Sequence, residues 1–180
     1  MGENVKEILF VTGGCRSGKS SFALDYANRH FIKKVYLATS LALDDEMEER
    51  IKRHREQRGS DWITVEEAKK VSQAVSSMSE DIDVILLDCL TMWISNLLLE
   101  GQGQEGIFQE IESLIETIKE APQSIIIVSN EVGSGVVPDN TISRIFRDIV
   151  GIANQRIAAC SDTVVLTVAG LSNVIKGRLR

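Results

Sequence analysis

Residues 13–20 read Gly13-Gly14-Cys15-Arg16-Ser17-Gly18-Lys19-Ser20 and follow directly on the apolar run Ile8-Leu9-Phe10-Val11. The segment fits G-x-x-x-x-G-K-[ST] without a gap. A chain carrying it must leave a strand, turn sharply and enter a helix. That turn exposes a row of backbone N–H groups at a positive helix N-terminus, a cradle for a di- or triphosphate. In such a loop the lysine, here Lys19, reaches the β/γ-phosphates, and the hydroxyl of Ser20 reaches Mg²⁺. The flanks agree: Phe22, Ala23, Tyr26 and Ala27 fall at helical spacing behind the motif.

Other parts of the sequence suit this reading. The 180 residues predict one domain, 1–180, with a sizeable core. A net charge of −6 argues against a general nucleic-acid binder. Cys15, Cys89 and Cys160 are odd in number and far apart, which suits a reducing cytoplasm and makes no metal-ligand pattern. The polar start, 1–7, predicts no signal peptide, and no apolar run is long enough for a membrane span.

Four further runs read as buried strands: Val35-Tyr36-Leu37-Ala38-Thr39, Val84-Ile85-Leu86-Leu87-Asp88, Ser124-Ile125-Ile126-Ile127-Val128 and Thr163-Val164-Val165-Leu166-Thr167-Val168. Continuous rather than alternating hydrophobicity predicts a sheet covered on both faces. Between the runs lie helical stripes. Ile107, Phe108, Ile111, Leu114, Ile115 and Ile118 form one; Ile142, Ile145, Phe146, Ile149, Ile152, Ala153 and Ile157 form another, entered through Pro138-Asp139-Asn140-Thr141. The alternation predicts an α/β fold with a mostly parallel sheet, whose ligands bind beyond the carboxyl ends of the strands.

Those ends carry Thr39 and Ser40, then Asp88, then Ser129-Asn130-Glu131. An acidic residue closing a strand after a phosphate loop is an expected Mg²⁺ contact, so Ser20 and Asp88 are the metal candidates. Glu131 could orient a water or hold a substrate, or simply cap the next segment. Trp93 and Leu97–Leu99 are candidates for an apolar acceptor pocket or for the core. The stretch 44–59 starts acidic and ends basic, which complements a helix dipole. Met47, Ile51, His54 and Arg58 share a face, with Arg50 and Arg55 near it. This is either a solvated charged helix or one that offers an imidazole to a triphosphate. Histidine can attack phosphorus to give a covalent intermediate.

Together these residues resemble the bifunctional adenosylcobinamide kinase / adenosylcobinamide-phosphate guanylyltransferase family of bacterial cobalamin assembly. The resemblance rests on 11–20, on Tyr36-Leu37-Ala38-Thr39-Ser40, and on Asp44 through Arg50-Ile51 to His54 and Trp62. It continues in Leu86–Thr91 with Asn96-Leu97-Leu98, in Val128–Gly133, in Gly135-Val136-Val137-Pro138 with Asn140, and in Arg144–Asp148 with Asn154-Gln155-Arg156. It implies phosphorylation of the hydroxyl on the aminopropanol arm of adenosylcobinamide by ATP or GTP. Transfer of GMP from GTP to the resulting phosphate then gives adenosylcobinamide-GDP.

The resemblance also implies a P-loop NTPase fold of RecA-like type, a homotrimer, and a GMP-histidine intermediate that carries onto His54. His54 and Lys19 are then the catalytic residues. Nucleotide-binding positions fall on Gly13, Gly14, Cys15, Arg16, Ser17, Gly18, Lys19, Ser20, Thr39, Ser40, Arg55, Glu56, Gln57, Arg58, Glu66 and Asp88. The expected architecture is one P-loop domain with an inserted His-bearing helix at about 41–59. Without the resemblance, a simple P-loop small-molecule kinase and a RecA-like ATP-binding oligomeric module remain open.

Overall fold

The computed structural model describes residues 6–41, 59 and 61–180. Along the chain run β1 (Ile8–Gly13), α1 (Lys19–His30), β2 (Lys34–Ala38), β3 (Trp62–Glu66), α2 (Val71–Ser76), β4 (Val84–Asp88) and α3 (Leu90–Leu99). Then come α4 (Gln104–Glu120), β5 (Ser124–Asn130), α5 (Thr141–Cys160), β6 (Thr163–Val168) and β7 (Leu171–Lys176). The strands form one seven-stranded sheet in the order β3-β2-β4-β5-β1-β6-β7. Every pairing is parallel except β6 with β7.

The apolar runs become central strands because both sheet faces are covered. Alternate side chains go to opposite sides. Leu9, Val11, Tyr36, Leu86, Ile126 and Val128 pack with Ala23, Tyr26 and Ala27 of α1. Phe10, Leu37, Ile85, Leu87, Ile125 and Ile127 pack with Trp93 and Ile94 of α3, Ile111 and Leu114 of α4, and Val150 and Ala153 of α5. The helical stripe expected on α4 is buried at Ile107, Ile111, Leu114, Ile115 and Ile118. That on α5 is buried at Ile149, Ala153 and Ile157; Ile145 and Phe146 pack partly against the core, and Ile142 and Ile152 are exposed.

β3 and β7 were not among the expected strands. β7 is exposed along its whole length, so no continuous apolar run marks it. It is joined to β6 by the two residues Ala169 and Gly170, both with positive φ, the geometry of a tight primed hairpin turn. Helix α3 also went unmarked by periodicity, because its apolar residues run almost all round. The expected helix at about 41–59, with His54, Arg55, Glu56, Gln57 and Arg58, lies outside the described residues but for its two end positions.

Candidate phosphate site at the strand ends

The loop after β1 sits where β5 and β6 flank β1 on either side. Gly13 is glycine for want of room. A Cβ there would overlap the backbone carbonyl and hydroxyl of Thr167 on β6 and stand 2.6 Å from Ser17 Oγ. Gly18 is glycine for its backbone, with φ of 96° as it opens α1. No side chain caps that helix start, and its first turn holds no acidic residue. The exposed left-handed Arg16 precedes it. Such a loop, leading into a twelve-residue helix, is built to receive an anion.

The loop is braced from the far end of the chain. Ser17 Oγ lies 2.7 Å from Thr167 Oγ1, and the Gly170 N–H donates to the Ser17 carbonyl at 2.9 Å. The β6–β7 turn is thus part of the phosphate loop's support. Sequence reading missed this, since the partners stand 150 residues apart. Lys19 is buried, and its Nζ donates to the Gly14 carbonyl at 3.0 Å.

Asp88 ends β4 and is partly buried. Tyr36 on the neighbouring β2 donates its hydroxyl to Asp88 Oδ2 at 2.9 Å, which orients the carboxylate. Thr39, just beyond β2, is fully buried. Its Oγ1 donates to the Cys89 carbonyl at 2.8 Å and accepts from the Cys89 N–H at 2.9 Å. Its hydroxyl therefore fastens the end of β2 to the start of α3. Asn96 Nδ2 donates to the Thr39 carbonyl at 2.8 Å and to the Ala68 carbonyl at 3.0 Å, extending the same tie. Ser40 is partly buried beside it, and Glu66 closes β3 at the surface. Burial pushes the Cys89 thiol up to about 11, with the Asp88 charge adding to the effect.

At the end of β5, Asn130 Nδ2 donates to Thr91 Oγ1 at 2.9 Å, and Asn154 Nδ2 donates to the Asn130 carbonyl at 3.0 Å. The Glu131 N–H donates to the Gly13 carbonyl at 3.0 Å, so the next loop springs directly from the phosphate loop. The Glu131 carboxylate accepts from the N–H groups of Gly133 and Ser134 at 2.7 and 3.2 Å. Hydrogen bonding to Ser134, more than to Gly133, holds it below its usual carboxylate range against a burial effect that opposes it. Glu131 is therefore a local cap. Trp93 lies wholly in the core with its Nε1 on the Lys69 carbonyl, and Leu97 is buried as well. Neither lines an acceptor pocket.

Ser20 and Asp88 bring a hydroxyl and a carboxylate, hard oxygen donors of the kind Mg²⁺ takes alongside phosphate and water. Among the described residues no cluster of three or more His, Cys, Asp or Glu could hold a metal alone. No helix among them is long and apolar enough to cross a membrane.

Comparison with known proteins agrees with this geometry. The profile of the cobinamide kinase / cobinamide phosphate guanyltransferase family, CobU, matches residues 9–175. A bifunctional adenosylcobalamin biosynthesis protein CobU from Escherichia coli is 38% identical over 181 residues, covering 94% of this chain and 99% of its own. The corresponding CobP of Pseudomonas aeruginosa is 42% identical over 169 residues, covering 93% and 96%. Among solved structures, the RadB recombinase aligns with a TM-score of 0.59 at 14% identity, over 97% of this chain and 82% of that one. The type III secretion ATPase EscN of enteropathogenic E. coli aligns at 0.57 and 12%, over 91% and 43%. These last two speak to the fold alone, an α/β sheet of the P-loop NTPase kind.

Proposed function

Since the chain belongs to the cobinamide kinase / cobinamide phosphate guanyltransferase family, we propose that it phosphorylates adenosylcobinamide and then caps the product with GMP. The observation that carries this reading is the braced loop 13–20 together with the oriented Asp88 carboxylate at the carboxyl end of the same parallel sheet, in a chain matching that family over residues 9–175.

In the first reaction the acceptor hydroxyl attacks the γ-phosphorus of ATP or GTP. The bond to the β–γ bridging oxygen breaks, and the hydroxyl proton leaves. The chain's part is to position the phosphates and neutralise charge. The loop N–H groups and the start of α1 hold the phosphates, and Lys19 offsets the γ-phosphate charge. Ser20 and Asp88 would hold Mg²⁺, with Tyr36 fixing the Asp88 carboxylate. A bound Mg²⁺ supplies further charge neutralisation across the β- and γ-phosphates.

In the second reaction His54 attacks the α-phosphorus of GTP, a phosphorus–nitrogen bond forms, and pyrophosphate leaves. The phosphate oxygen of the acceptor then displaces the histidine. A covalent species divides a difficult transfer into two easier ones. Arg55, Glu56, Gln57, Arg58, Glu66, Thr39 and Ser40 are the residues assigned to nucleotide binding for this reaction. The protein works in the cytoplasm as a homotrimer; the wholly exposed strand β7, with Leu171 and Ile175 on its surface, supports association.

Incubation with Mg²⁺ and GTP labelled at the α-phosphate tests the covalent step. An alkali-stable, acid-labile protein label, absent in His54→Ala, is the expected result. Absence of label in a wild-type protein that binds GTP and phosphorylates cobinamide would leave the kinase and remove the guanylylation route through His54.

A further inference from the structure

Most of the large apolar residues exposed here lie on β7 or stand singly. Another group lies in and just after the loop that leaves β5, whose root is hydrogen-bonded to Gly13. Val136 is 94% exposed, Val137 63% and Ile142 53%. They follow β5 in the loop 131–140 and the first turn of α5. Isolated exposed valines are ordinary; three within seven residues, on a polar-clamped loop, are not.

The loop is held at both ends. At its root the Glu131 N–H is bonded to Gly13 of the phosphate loop, and the Glu131 carboxylate caps Gly133 and Ser134. At its far end Arg144 Nη1 donates to the carbonyls of Pro138 at 3.0 Å and Asp139 at 2.6 Å. The Asn140 side chain accepts from the Ser143 N–H at 2.8 Å and starts α5. Every clamp is polar and local, while the segment between, with Val136 and Val137, points apolar groups at solvent. Val132, Ile145 and Phe146 on either side pack partly against the core, which backs the tip with an apolar base.

We propose that Val136, Val137 and Ile142 form the docking lip for the corrin macrocycle of the acceptor. This rests on the cobinamide kinase reading given above. The acceptor's hydroxyl must come to the γ-phosphate, hence to the loop that Gly13 opens. The rest of this large acceptor must then lie over neighbouring strand ends. The root of the 131–140 loop is one hydrogen bond from Gly13. A corrin ring presents apolar methyl-rich edges and faces between its amide arms, and branched aliphatic side chains suit those surfaces. The polar clamps keep the lip in shape before the substrate arrives, which lowers the ordering cost of binding.

The test is Val136→Thr/Val137→Thr, which keeps side-chain shape and β-branching and changes only polarity. Equilibrium dialysis with cobinamide, read by its visible absorbance, should show affinity weakened by about tenfold. GTP affinity should stay within about twofold, and KM for cobinamide should rise with kcat nearly unchanged. Val137→Ile should keep wild-type cobinamide affinity. Unchanged cobinamide affinity in the double variant would overturn the proposal. So would a fall in sedimentation mass with cobinamide affinity kept, since the lip would then be a contact between copies. A wild-type protein that binds GTP but neither binds nor phosphorylates cobinamide would instead overturn the functional reading beneath it.

Discussion

Gly13 and Gly14 stand side by side in the phosphate loop under different constraints. A methyl on Gly13 meets Thr167 and Ser17, whereas one on Gly14 meets nothing within 4 Å. Gly13→Ala should therefore lower stability by about 1–3 kcal/mol through overpacking and abolish GTP binding, because the loop cannot close on Thr167. Gly14→Ala should leave the melting temperature unchanged. Calorimetric melting with GTP titration of the two variants checks both. The three thiols sort in the same local way. Cys15 is exposed in the loop and Cys89 is buried with its thiol pushed up to about 11. Since the thiolate is the reactive form, mild alkylation should label Cys15 first and spare Cys89 until the protein unfolds. GTP should slow the Cys15 reaction; mass spectrometry of digests reads the order. The letters of the loop were legible because the motif is contiguous. Its brace at Thr167 and Gly170 was not, because nothing local links residues 150 positions apart.

Side-chain hydrogen bonds at the ends of elements fix how neighbouring elements meet. Thr39 binds both the N–H and the carbonyl of Cys89 in a fully buried setting. Thr39→Val keeps the shape and leaves those two backbone groups without the hydroxyl, so it should cost about 2–4 kcal/mol in chemical denaturation. Asp88 sits next to that junction, so GTP turnover should fall more in Thr39→Val than in Thr39→Ser, which keeps the hydroxyl. Glu131 shapes the following loop through its ionised carboxylate, held below the usual 4.5. A depressed carboxylate stabilises fully above its unfolded value and loses that contribution as pH falls through the folded one. The stability difference between wild type and Glu131→Gln, about 1 kcal/mol at neutral pH, should thus shrink on acidification below about 4.5 as the wild type becomes protonated, which melting followed against pH checks. Five central strands could be read from sequence because burial on both faces makes their apolar runs continuous. β7 could not, since an edge strand exposed on every residue carries no such run. The expected α5 stripe is buried at Ile149, Ala153 and Ile157 but exposed at Ile142, in the first turn of the helix, and at Ile152.

At the scale of the whole molecule, the phosphate loop and the tie that fastens the chain lie at opposite ends of the same central strand, β1. Nucleotide chemistry gathers at the carboxyl ends of the parallel strands. At the amino end, Glu7 precedes β1 and is buried; the Tyr26 hydroxyl donates to its two oxygens at 3.0 and 2.9 Å, and Arg180 Nε pairs with Oε2 at 3.0 Å. The Arg180 guanidinium also lies 5.4 Å from the Phe31 ring centre. Burial, with Glu7 as its acceptor, pushes the Tyr26 hydroxyl up to about 12, so it stays a donor across the ordinary pH range. Removing Arg180 leaves the Glu7 charge buried with only the tyrosine. A fully buried pair broken in this way costs about 3–5 kcal/mol. The Arg180 side chain keeps 29% of its exposure, so water screens part of the pair and the expected loss is about 1–2 kcal/mol, a few degrees of melting temperature. GTP affinity measured well below melting should not change, because the two ends of the strand share no residue. Adding Glu7→Gln to Arg180→Ala should cost little more than Arg180→Ala alone, since the amide still meets Tyr26 and no charge is stranded. A double variant whose loss equals the sum of the two single losses would mean that Glu7 and Arg180 act independently and that the clasp is two separate contacts.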